Sequence, residues 1–317
     1  MLKGTYIFYE NGKEICRSSN LITKFGKRFL TNFMAGNVSF NSKELALGIA
    51  TSSEYALADT NSRLGFEFTR VPVDFGSTNI QPDGAGGFTY SVIYKGTIPQ
   101  TVSGKINEVG LYPTFRVSSN LYSDKFISDF ENNLIWTNSL GLNPDLVTLA
   151  GLESPRIGLY FVKIITNAES SSQEYIANTN SLDISGYSVN DTLTMAFYQE
   201  DVNLNNIKIR LYSSDVDYFE ATFDSDGTVG NKILETTLSD MLLNPVGTPI
   251  SDSINKVGVV VSSNSSGATS VYLDGLRIND EDKFDPAYGI ISRSIITDGL
   301  NKVLGRTVDI EYRLELF

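Results

Sequence analysis

The sequence contains no histidine, and it has one cysteine and one tryptophan. Without histidine, the chain lacks the commonest general base, the commonest zinc ligand and any Ser-His or Cys-His nucleophile pair. The single cysteine, Cys16, excludes an internal disulfide framework. Catalysis would depend on carboxylates, lysine or tyrosine alone, and the sequence therefore predicts a protein that is not an enzyme.

Basic residues are outnumbered, with 25 Lys and Arg against 37 Asp and Glu, for a net charge of -12. A nucleic acid or an anionic membrane surface would need a basic patch on its partner, so neither is expected to bind. No apolar run approaches the roughly 18 residues that membrane insertion as a helix requires. The first ten residues, MLKGTYIFYE, lack the apolar segment of a signal peptide, which predicts synthesis in a cytoplasm.

Strand patterns are abundant in this sequence. The last ten residues, VDIEYRLELF, alternate apolar and polar side chains, as is typical of a half-buried strand. Asn11-Gly12 lies between two extended segments and predicts a tight hairpin turn. Between residues 156 and 278, short apolar segments recur with turn residues between them, a pattern typical of a β-sandwich or jelly roll.

One helix is predicted near the N-terminus. Its apolar face is formed by Leu21, Ile22, Phe25, Phe29 and Phe33. Asn20 is placed to cap its first turn, and Gly36 is placed to end it. The apolar stripe predicts that the helix packs on a sheet.

Five segments of the first 120 residues follow one another in a characteristic order. They are NLITKFGKRFLTNFMAG, LALGIATSS, RLGFEFTRVPV, VIYKGTIPQ and INEVGLYP. This order resembles a structural domain of tailed-bacteriophage tail-fibre, collar and other appendage proteins. In that family an S-R-type strand and a final strand similar to LDIEYRLEL follow at once. Here the matching segments, ISRSI (Ile291–Ile295) and VDIEYRLELF, arrive only near the C-terminus.

The resemblance implies a discontinuous body, residues 1–120 and 285–317, with a second domain, residues 121–284, inserted between neighbouring strands. The final strand would then return to the N-terminal sheet. The expected fold class is mainly β: a small β-sheet body with one packed helix plus an inserted jelly-roll or β-sandwich domain. The resemblance also implies a virion component that is synthesised in the host cytoplasm. Its partners would be other virion proteins and further copies of itself, often as a trimer in such fibres.

The inserted segment resembles a second class of domain. FISDFENNLIWT, LDISGYSVNDTLTMAFY and SVYLDGLRIND are similar to the opening, middle and closing parts of β-sandwiches of the carbohydrate-binding-module type. Such domains often hold a structural calcium ion through acidic groups of the terminal strands, and the corresponding residues here are Glu131 and Asp274. Because calcium takes six to eight oxygen ligands, the alternative is that both are solvated acids at strand ends. No other cofactor is expected.

Two strands of the insert carry candidate glycan-binding residues. In NIKIRLY, Arg210 and Tyr212 share the face opposite the apolar residues, and in DYFEATF, Tyr218 and Glu220 point the same way. Arginine and tyrosine side by side on an open strand face suit a sugar-binding groove. The alternative is that these tyrosines are ordinary half-buried sandwich residues. Trp136 is predicted to lie in the core.

Other acidic residues are weighed for catalysis or for structural pairing. The acidic groups in predicted turns are Asp215 with Asp217, Asp224 with Asp226, and Asp280 with Glu281 and Asp282. Glycosidases need two carboxylates that face each other across a cleft, which close neighbours in a turn rarely provide, so no catalytic residue is predicted. Glu108, flanked by apolar residues, is predicted to be a buried acid that pairs with Arg70 or Arg293.

Two functions remain open at this point. The favoured one is a non-enzymatic virion structural protein of a tail fibre, baseplate, neck or capsid decoration, whose body docks on the particle and whose sandwich projects outward. The alternative is a carbohydrate-binding protein that recognises host surface glycans with the same architecture. A secreted adhesin or glycosidase accessory is disfavoured by the absence of a signal peptide pattern.

Overall fold

A computed structural model of the chain describes residues 2–37, 46–50, 56–61, 63–82, 84, 86–113, 125–148, 158–187, 191–279 and 289–316. Within these ranges the protein is mainly β, as the sequence predicts, with strands far outnumbering two short α-helices. No helix in this part of the chain is long and apolar enough to span a membrane.

The strands are numbered β1 to β22 along the chain. They are β1 (Leu2–Glu10), β2 (Lys13–Ser19), β3 (Leu21–Ile22), β4 (Ala46–Ala50), β5 (Glu67–Pro72), β6 (Asp74–Pro82), β7 (Phe88–Ile98), β8 (Gly104–Tyr112), β9 (Lys125–Ser128), β10 (Trp136–Thr137), β11 (Asp145–Val147), β12 (Phe161–Ile165), β13 (Ser172–Leu182), β14 (Thr192–Gln199), β15 (Leu204–Tyr212), β16 (Tyr218–Asp224), β17 (Gly230–Thr237), β18 (Pro245–Val246), β19 (Ile254–Ser263), β20 (Ser270–Asn279), β21 (Ser292–Lys302) and β22 (Val308–Leu316). The helices are α1 (Lys24–Met34) and α2 (Leu238–Leu242).

The chain divides into two compact units. Met1–Val117 and Lys283–Phe317 together form one of them, here called the discontinuous unit. Ser118–Asp282 forms the other, the inserted unit. Among the described residues, each unit contains two antiparallel sheets and a hydrophobic core of its own.

Two five-stranded sheets make up the described part of the discontinuous unit. Their strand orders are β2-β1-β22-β7-β6 and β3-β21-β8-β4-β5. The C-terminal strand β22 pairs with β1 on one side and β7 on the other, and it presents Val308, Ile310 and Tyr312 to the core. The prediction that the last residues form a half-buried strand in the N-terminal sheet is confirmed.

The β1–β2 hairpin also forms as predicted. Asn11 and Gly12 both have positive φ, 52° and 76°, the backbone conformation that a type I′ hairpin turn requires. Glu10 pairs directly with Lys13, so the turn contains two residues. Asn and Gly tolerate this conformation better than other residues, which explains how local sequence specifies the turn.

Helix α1 begins later than its apolar pattern predicts. Thr23, not Asn20, is the N-cap, and its Oγ1 accepts a hydrogen bond from Gly26 N at 2.9 Å. Asn20 instead donates its backbone N–H to the Gly4 carbonyl, because residues 21–22 form strand β3. Gly26 is required by close approach, since a Cβ there would lie 2.0 Å from the Ile291 carbonyl oxygen.

Glu108, the predicted buried acid, pairs with Arg293, one of its two predicted partners. Glu108 and Arg293 are fully buried and form an ion pair, and Glu108 Oε2 also accepts a hydrogen bond from Gly65 N at 2.8 Å. Arg70 pairs with Glu67 and lies over the Tyr112 ring, 3.7 Å from its centroid. Neighbouring strands β8 and β21 carry Glu108 and Arg293, which explains why Arg293 is the partner.

The inserted unit is a β-sandwich. One sheet has six strands in the order β10-β13-β19-β15-β16-β18, and the other has the order β11-β12-β20-β14-β17, with β9 paired to β20. The inner faces of both sheets supply one hydrophobic core. Trp136 is buried in that core and stacks on Phe130 with ring centroids 5.0 Å apart, as predicted for a core tryptophan.

Candidate functional site

The four candidate glycan-binding residues lie together on the outer face of the six-stranded sheet of the inserted unit. Strands β15 and β16 are paired so that Arg210 is opposite Glu220 and Tyr212 is opposite Tyr218. The apolar residues of β15, such as Ile209, face the core on the other side. The alternation of side chains along each strand is the reason why the sequence could group these four residues.

A network of charged hydrogen bonds connects these side chains. Arg210 Nε donates to Glu220 Oε2 at 2.8 Å, and Lys208 Nζ donates to Glu220 Oε1 at 2.8 Å. Arg210 Nη1 donates to both carboxylate oxygens of Glu174 at 3.1 Å. Tyr212 donates its hydroxyl proton to Glu174 Oε1 at 2.6 Å. Glu174 is thus a central member of the cluster that the sequence alone did not identify.

Glu174 reaches the cluster across an intervening strand. It lies on β13, and β19 runs between β13 and β15. The residue of β19 that pairs with Arg210 is Gly258, whose missing side chain leaves the space that the contact needs. A Cβ on Gly258 would lie 2.9 Å from Glu174 Oε1 and 2.9 Å from Tyr212 Cε2.

The network shifts the pKa values of Arg210, Glu220 and Tyr212. Burial opposes the charge on Arg210, but its hydrogen bond to Glu220 and the charge of Glu174 outweigh this, so the pKa of Arg210 is raised. Burial likewise opposes ionisation of Glu220, but Lys208 and Arg210 outweigh it and hold the pKa of Glu220 below its ordinary value. Burial and the bond to Glu174 raise the pKa of Tyr212. At neutral pH Arg210 and Glu220 are therefore charged and Tyr212 is neutral.

A groove of about 920 Å³ lies beside this cluster on the same sheet face. Its floor comes from β13, β15 and β19, and its lining there consists of Ser172, Gln173, Glu174, Ile176, Asn178, Lys208, Arg210, Lys256, Val260 and Ser262. Tyr212 and Tyr218 are not among the described residues that line it. Their rings instead pack on each other with centroids 4.8 Å apart, and Tyr212 is only 4% exposed.

One wall of the groove is the short segment of residues 134–139, which contains β10. Its lining residues are Leu134, Ile135, Thr137, Asn138 and Ser139. Asparagine side chains hold this segment in shape: Asn138 Oδ1 accepts hydrogen bonds from Leu140 N and Leu142 N, and Asn143 Nδ2 donates to the Trp136 carbonyl at 2.8 Å. Leu134 is left 72% exposed. No periodicity in the sequence marks this wall.

The two candidate calcium ligands are placed differently from each other. Both carboxylate oxygens of Glu131 accept hydrogen bonds from Leu159 N, at 2.9 and 3.0 Å, and Oε1 also accepts one from Tyr160 N at 3.0 Å. Burial raises the pKa of Glu131 although these N–H groups oppose the shift. Asp274 is buried in β20. Within the described residues, no group of three or more acidic or cysteine side chains could hold a metal ion.

These contacts favour a structural role for Glu131, because N–H donors already occupy the oxygens that a cation would need. Gly158 lies directly against this carboxylate, with a positive φ of 71° and an added Cβ only 2.0 Å from Glu131 Oε1. The calcium assignment of Glu131 and Asp274 stays a prediction.

Asp217 and Asp226, one residue from each of the two described acidic pairs, accept hydrogen bonds that lower their pKa. Asp217 accepts hydrogen bonds from Ser214 Oγ at 2.6 Å and Thr248 N at 2.8 Å, which lower its pKa. The ion pair with Lys232 and the contacts with Thr228 lower the pKa of Asp226 to about 2. A general acid needs a raised pKa instead. Asp280, Glu281 and Asp282 lie outside the described residues.

Comparison with known proteins gives structural similarity only. No protein-family model matches the chain, and no curated protein sequence matches it. Among solved structures, the chain is similar to a family 11 carbohydrate-binding module from Clostridium thermocellum, at 16% identity and a TM-score of 0.35, covering 50% of this chain and 97% of that one. It is also similar to a family 30 carbohydrate-binding module of a cellulosomal cellulase of Clostridium thermocellum, at 13% identity and a TM-score of 0.37, covering 50% and 98%.

A third similar structure is an exo-beta-agarase, at 16% identity and a TM-score of 0.36, covering 50% of this chain and 26% of that one. These three structures say nothing about the resemblance of the discontinuous unit to bacteriophage appendage proteins. The virion assignment therefore stays a prediction from the sequence.

Proposed function

We propose that the inserted unit is a non-catalytic carbohydrate-binding module whose ligand lies in the groove over β13, β15 and β19. The observation that carries this proposal is the groove itself, about 920 Å³ in volume, with charged and polar residues among those that line it. Sugar hydroxyl groups are both donors and acceptors, and binding sites for such ligands place a few polar groups precisely. Ser172, Asn178 and Ser262 are polar residues that line this groove.

The charged network holds part of this floor in position before a ligand arrives. Arg210 is fixed by Glu174 on one side and Glu220 on the other, and Lys208 is fixed by Glu220. Side chains that are already held lose little conformational freedom when a ligand binds, which favours affinity. The exposed Leu134 and Ile135 of the wall offer aliphatic surface for the C–H faces of a sugar ring.

Charge pairing indicates a neutral glycan. Each cation that lines the groove has a carboxylate partner: Lys208 pairs with Glu220, Arg210 with Glu174 and Glu220, and Lys256 with Asp215. An anionic sugar would compete with these carboxylates for the same cations. A neutral oligosaccharide can use the remaining hydrogen-bonding positions without disrupting an ion pair.

The test is binding of the full chain to a panel of neutral and acidic polysaccharides, measured by isothermal titration calorimetry. The groove variant is Asn178→Ala combined with Ser262→Ala, two residues that line the groove on the outer face, and it leaves the ion pairs intact. The matched control is Asn231→Ala in β17 of the opposite sheet. We expect saturable binding to a neutral glycan that the groove variant weakens at least tenfold and the control leaves unchanged. Failure of the folded chain to bind any glycan, or equal binding by the groove variant, would overturn the proposal.

Two further measurements address catalysis and calcium on the same samples. Release of reducing ends from a bound polysaccharide would show that the protein is an enzyme and would contradict the non-catalytic assignment. The midpoint of thermal unfolding is measured once in the presence of calcium and once in the presence of a chelator. If Glu131 and Asp274 hold a structural calcium ion, the chelator lowers the midpoint, whereas Glu131 bound only by backbone N–H groups gives no difference.

A second proposal concerns the discontinuous unit, which we propose to be the particle-docking part of a bacteriophage appendage. One observation favours it: strands β8 and β21, which carry the resembling segments INEVGLYP and ISRSI, are direct neighbours although the inserted unit separates them in sequence. The test is to locate the gene for the chain and, if it lies in a phage genome, to measure the protein in purified particles by quantitative mass spectrometry. A gene outside any phage genome contradicts the proposal. Stoichiometric recovery supports the proposal, and absence from the particles contradicts it.

A further inference from the structure

Strand β6 leaves one edge of the discontinuous unit open. In the sheet order β2-β1-β22-β7-β6 it is the last strand, with β7 as its only partner among the described strands. Beyond a bulge at Gly76, Ser77 to Pro82 pair in regular register with Ile93 to Phe88. Every residue of β6 is exposed except Asn79, which is half-buried. An edge strand with unpaired backbone N–H and C=O groups is a template for another strand.

The two edges of this sheet differ in charge. The opposite edge, β2, carries Lys13, Glu14 and Arg17, and the last two form an ion pair at 2.8 Å. Charged side chains of this kind protect edge strands from pairing with other chains. From Gly76 to Pro82, β6 has the sequence GSTNIQP and carries no charge. From Gly76 to Pro82, the edge at β6 therefore lacks the charged side chains that protect the edge at β2, although it has a bulge at Gly76 and a proline at its end.

Apolar side chains accompany the open edge. Ile80 pairs with Tyr90, and both are exposed, at 60% and 52%. Phe88, two residues before Tyr90 on the same face, is 55% exposed. Further along that face, Val92 and Tyr94 pack into the core, so the apolar surface of the core continues outward along the β6–β7 hairpin. Exposed apolar residues contiguous with a strand edge indicate an interaction surface.

We propose that β6 pairs with β6 of a second copy of this chain, antiparallel and around a two-fold axis. An antiparallel strand edge is complementary to itself, because a two-fold rotation brings each donor opposite an acceptor. The uncharged stretch from Gly76 to Pro82 brings no like charges together in such a pair. Pairing also places the exposed Ile80 side chain beside the side chains on the same face of β6 in the second copy. Such cross-strand contacts between apolar side chains are favourable.

The first test is sedimentation velocity of the full chain over a hundredfold range of concentration. We expect a concentration-dependent dimer that Ile80→Lys converts to a monomer, because the lysines would meet across the axis. The matched control is Met34→Lys at the end of α1, where the residue is 78% exposed and distant in sequence from the edge. A wild-type chain that stays monomeric, or a dimer that persists in Ile80→Lys, would overturn the proposal.

A second test identifies the paired edge directly and does not depend on the lysine variant. In a Cys16→Ser background, single cysteines are placed at Ser77, Asn79 and Gln81, with Thr31→Cys on α1 as control. Residues near a two-fold axis meet their own copies, so mild oxidation should cross-link at least one β6 position and spare the control. Equal cross-linking at all four positions, or none in β6, contradicts β6 pairing.

Discussion

Glu174 and Arg210 form an ion pair across a strand that belongs to neither of them. The two residues lie on β13 and β15, with β19 between, and Arg210 Nη1 is 3.1 Å from both Glu174 oxygens. Gly258 on β19 makes the contact possible because it presents no side chain at the crossing point. The floor of the groove therefore depends on a glycine that takes no part in its hydrogen bonds.

Replacing this glycine should disrupt the network. In Gly258→Ala the new Cβ would lie 2.9 Å from Glu174 Oε1 and from Tyr212 Cε2, closer than side chains tolerate. We expect a loss of about 1–3 kcal/mol in the free energy of unfolding, since a well-packed site accepts extra atoms only by shifting. Urea unfolding followed by the fluorescence of Trp136, the only tryptophan, reports on the inserted unit. Gly267→Ala, which meets only the Asn203 side chain at 3.1 Å, is the control, and an equal effect of both variants would refute this account.

The hydroxyl groups of Tyr212 and Tyr218 should contribute unequally to the free energy of unfolding. Tyr212→Phe removes the 2.6 Å hydrogen bond to Glu174, a charged acceptor, and should cost about 1.5–3 kcal/mol of unfolding free energy. Tyr218→Phe keeps the ring that packs against Tyr212 and Arg210 and should change stability much less. The comparison uses the same fluorescence-detected urea unfolding. Equal values for the two variants would show that the bond to Glu174 contributes no net stability.

Breaking the buried ion pair between Glu108 and Arg293 should lower the free energy of unfolding of the discontinuous unit. Arg293→Met leaves the Glu108 carboxylate without its buried cation, and we expect a loss of about 3–5 kcal/mol. Arg306→Met removes one partner of an exposed pair with Glu10 and should cost less than about 1 kcal/mol. Hydrogen exchange of the β8 amides measures both losses within this unit. A loss below 1 kcal/mol in Arg293→Met would mean that Glu108 becomes protonated without penalty, since burial already raises its pKa.

Acid should lower the stability of the inserted unit because it protonates Glu220. Its pKa in the folded protein is below the ordinary value of about 4.3 for glutamate. The stabilisation is therefore complete above that ordinary value and is lost as the pH falls through the folded-state pKa. In Glu220→Gln the midpoint of thermal unfolding should drop at pH 7 and should fall less than in the wild type between pH 5 and 3. Exposed Glu169→Gln controls for the loss of one negative charge, and parallel pH profiles for Glu220→Gln and wild type would exclude this role for Glu220.

The features that the sequence predicts correctly are those that depend on neighbours along the chain. The Asn11-Gly12 turn follows from backbone preferences of two residues, and the alternation in residues 308–316 follows from the two-residue period of a strand. The same period groups Arg210 with Tyr212 and Tyr218 with Glu220. The mainly β class follows from the repetition of such segments.

Tertiary contacts account for what the sequence analysis missed. Residues 21 and 22 extend the apolar stripe of α1, yet pairing with β21 draws them into β3 and moves the cap to Thr23. Only the order of the strands in the sheet shows that Arg293, and not Arg70, is the partner of Glu108. Glu174 and the wall at residues 134–139 reach the groove from other parts of the sandwich. Local periodicity specifies the face on which a side chain lies, whereas its neighbours across the sheet depend on how distant strands pair and pack.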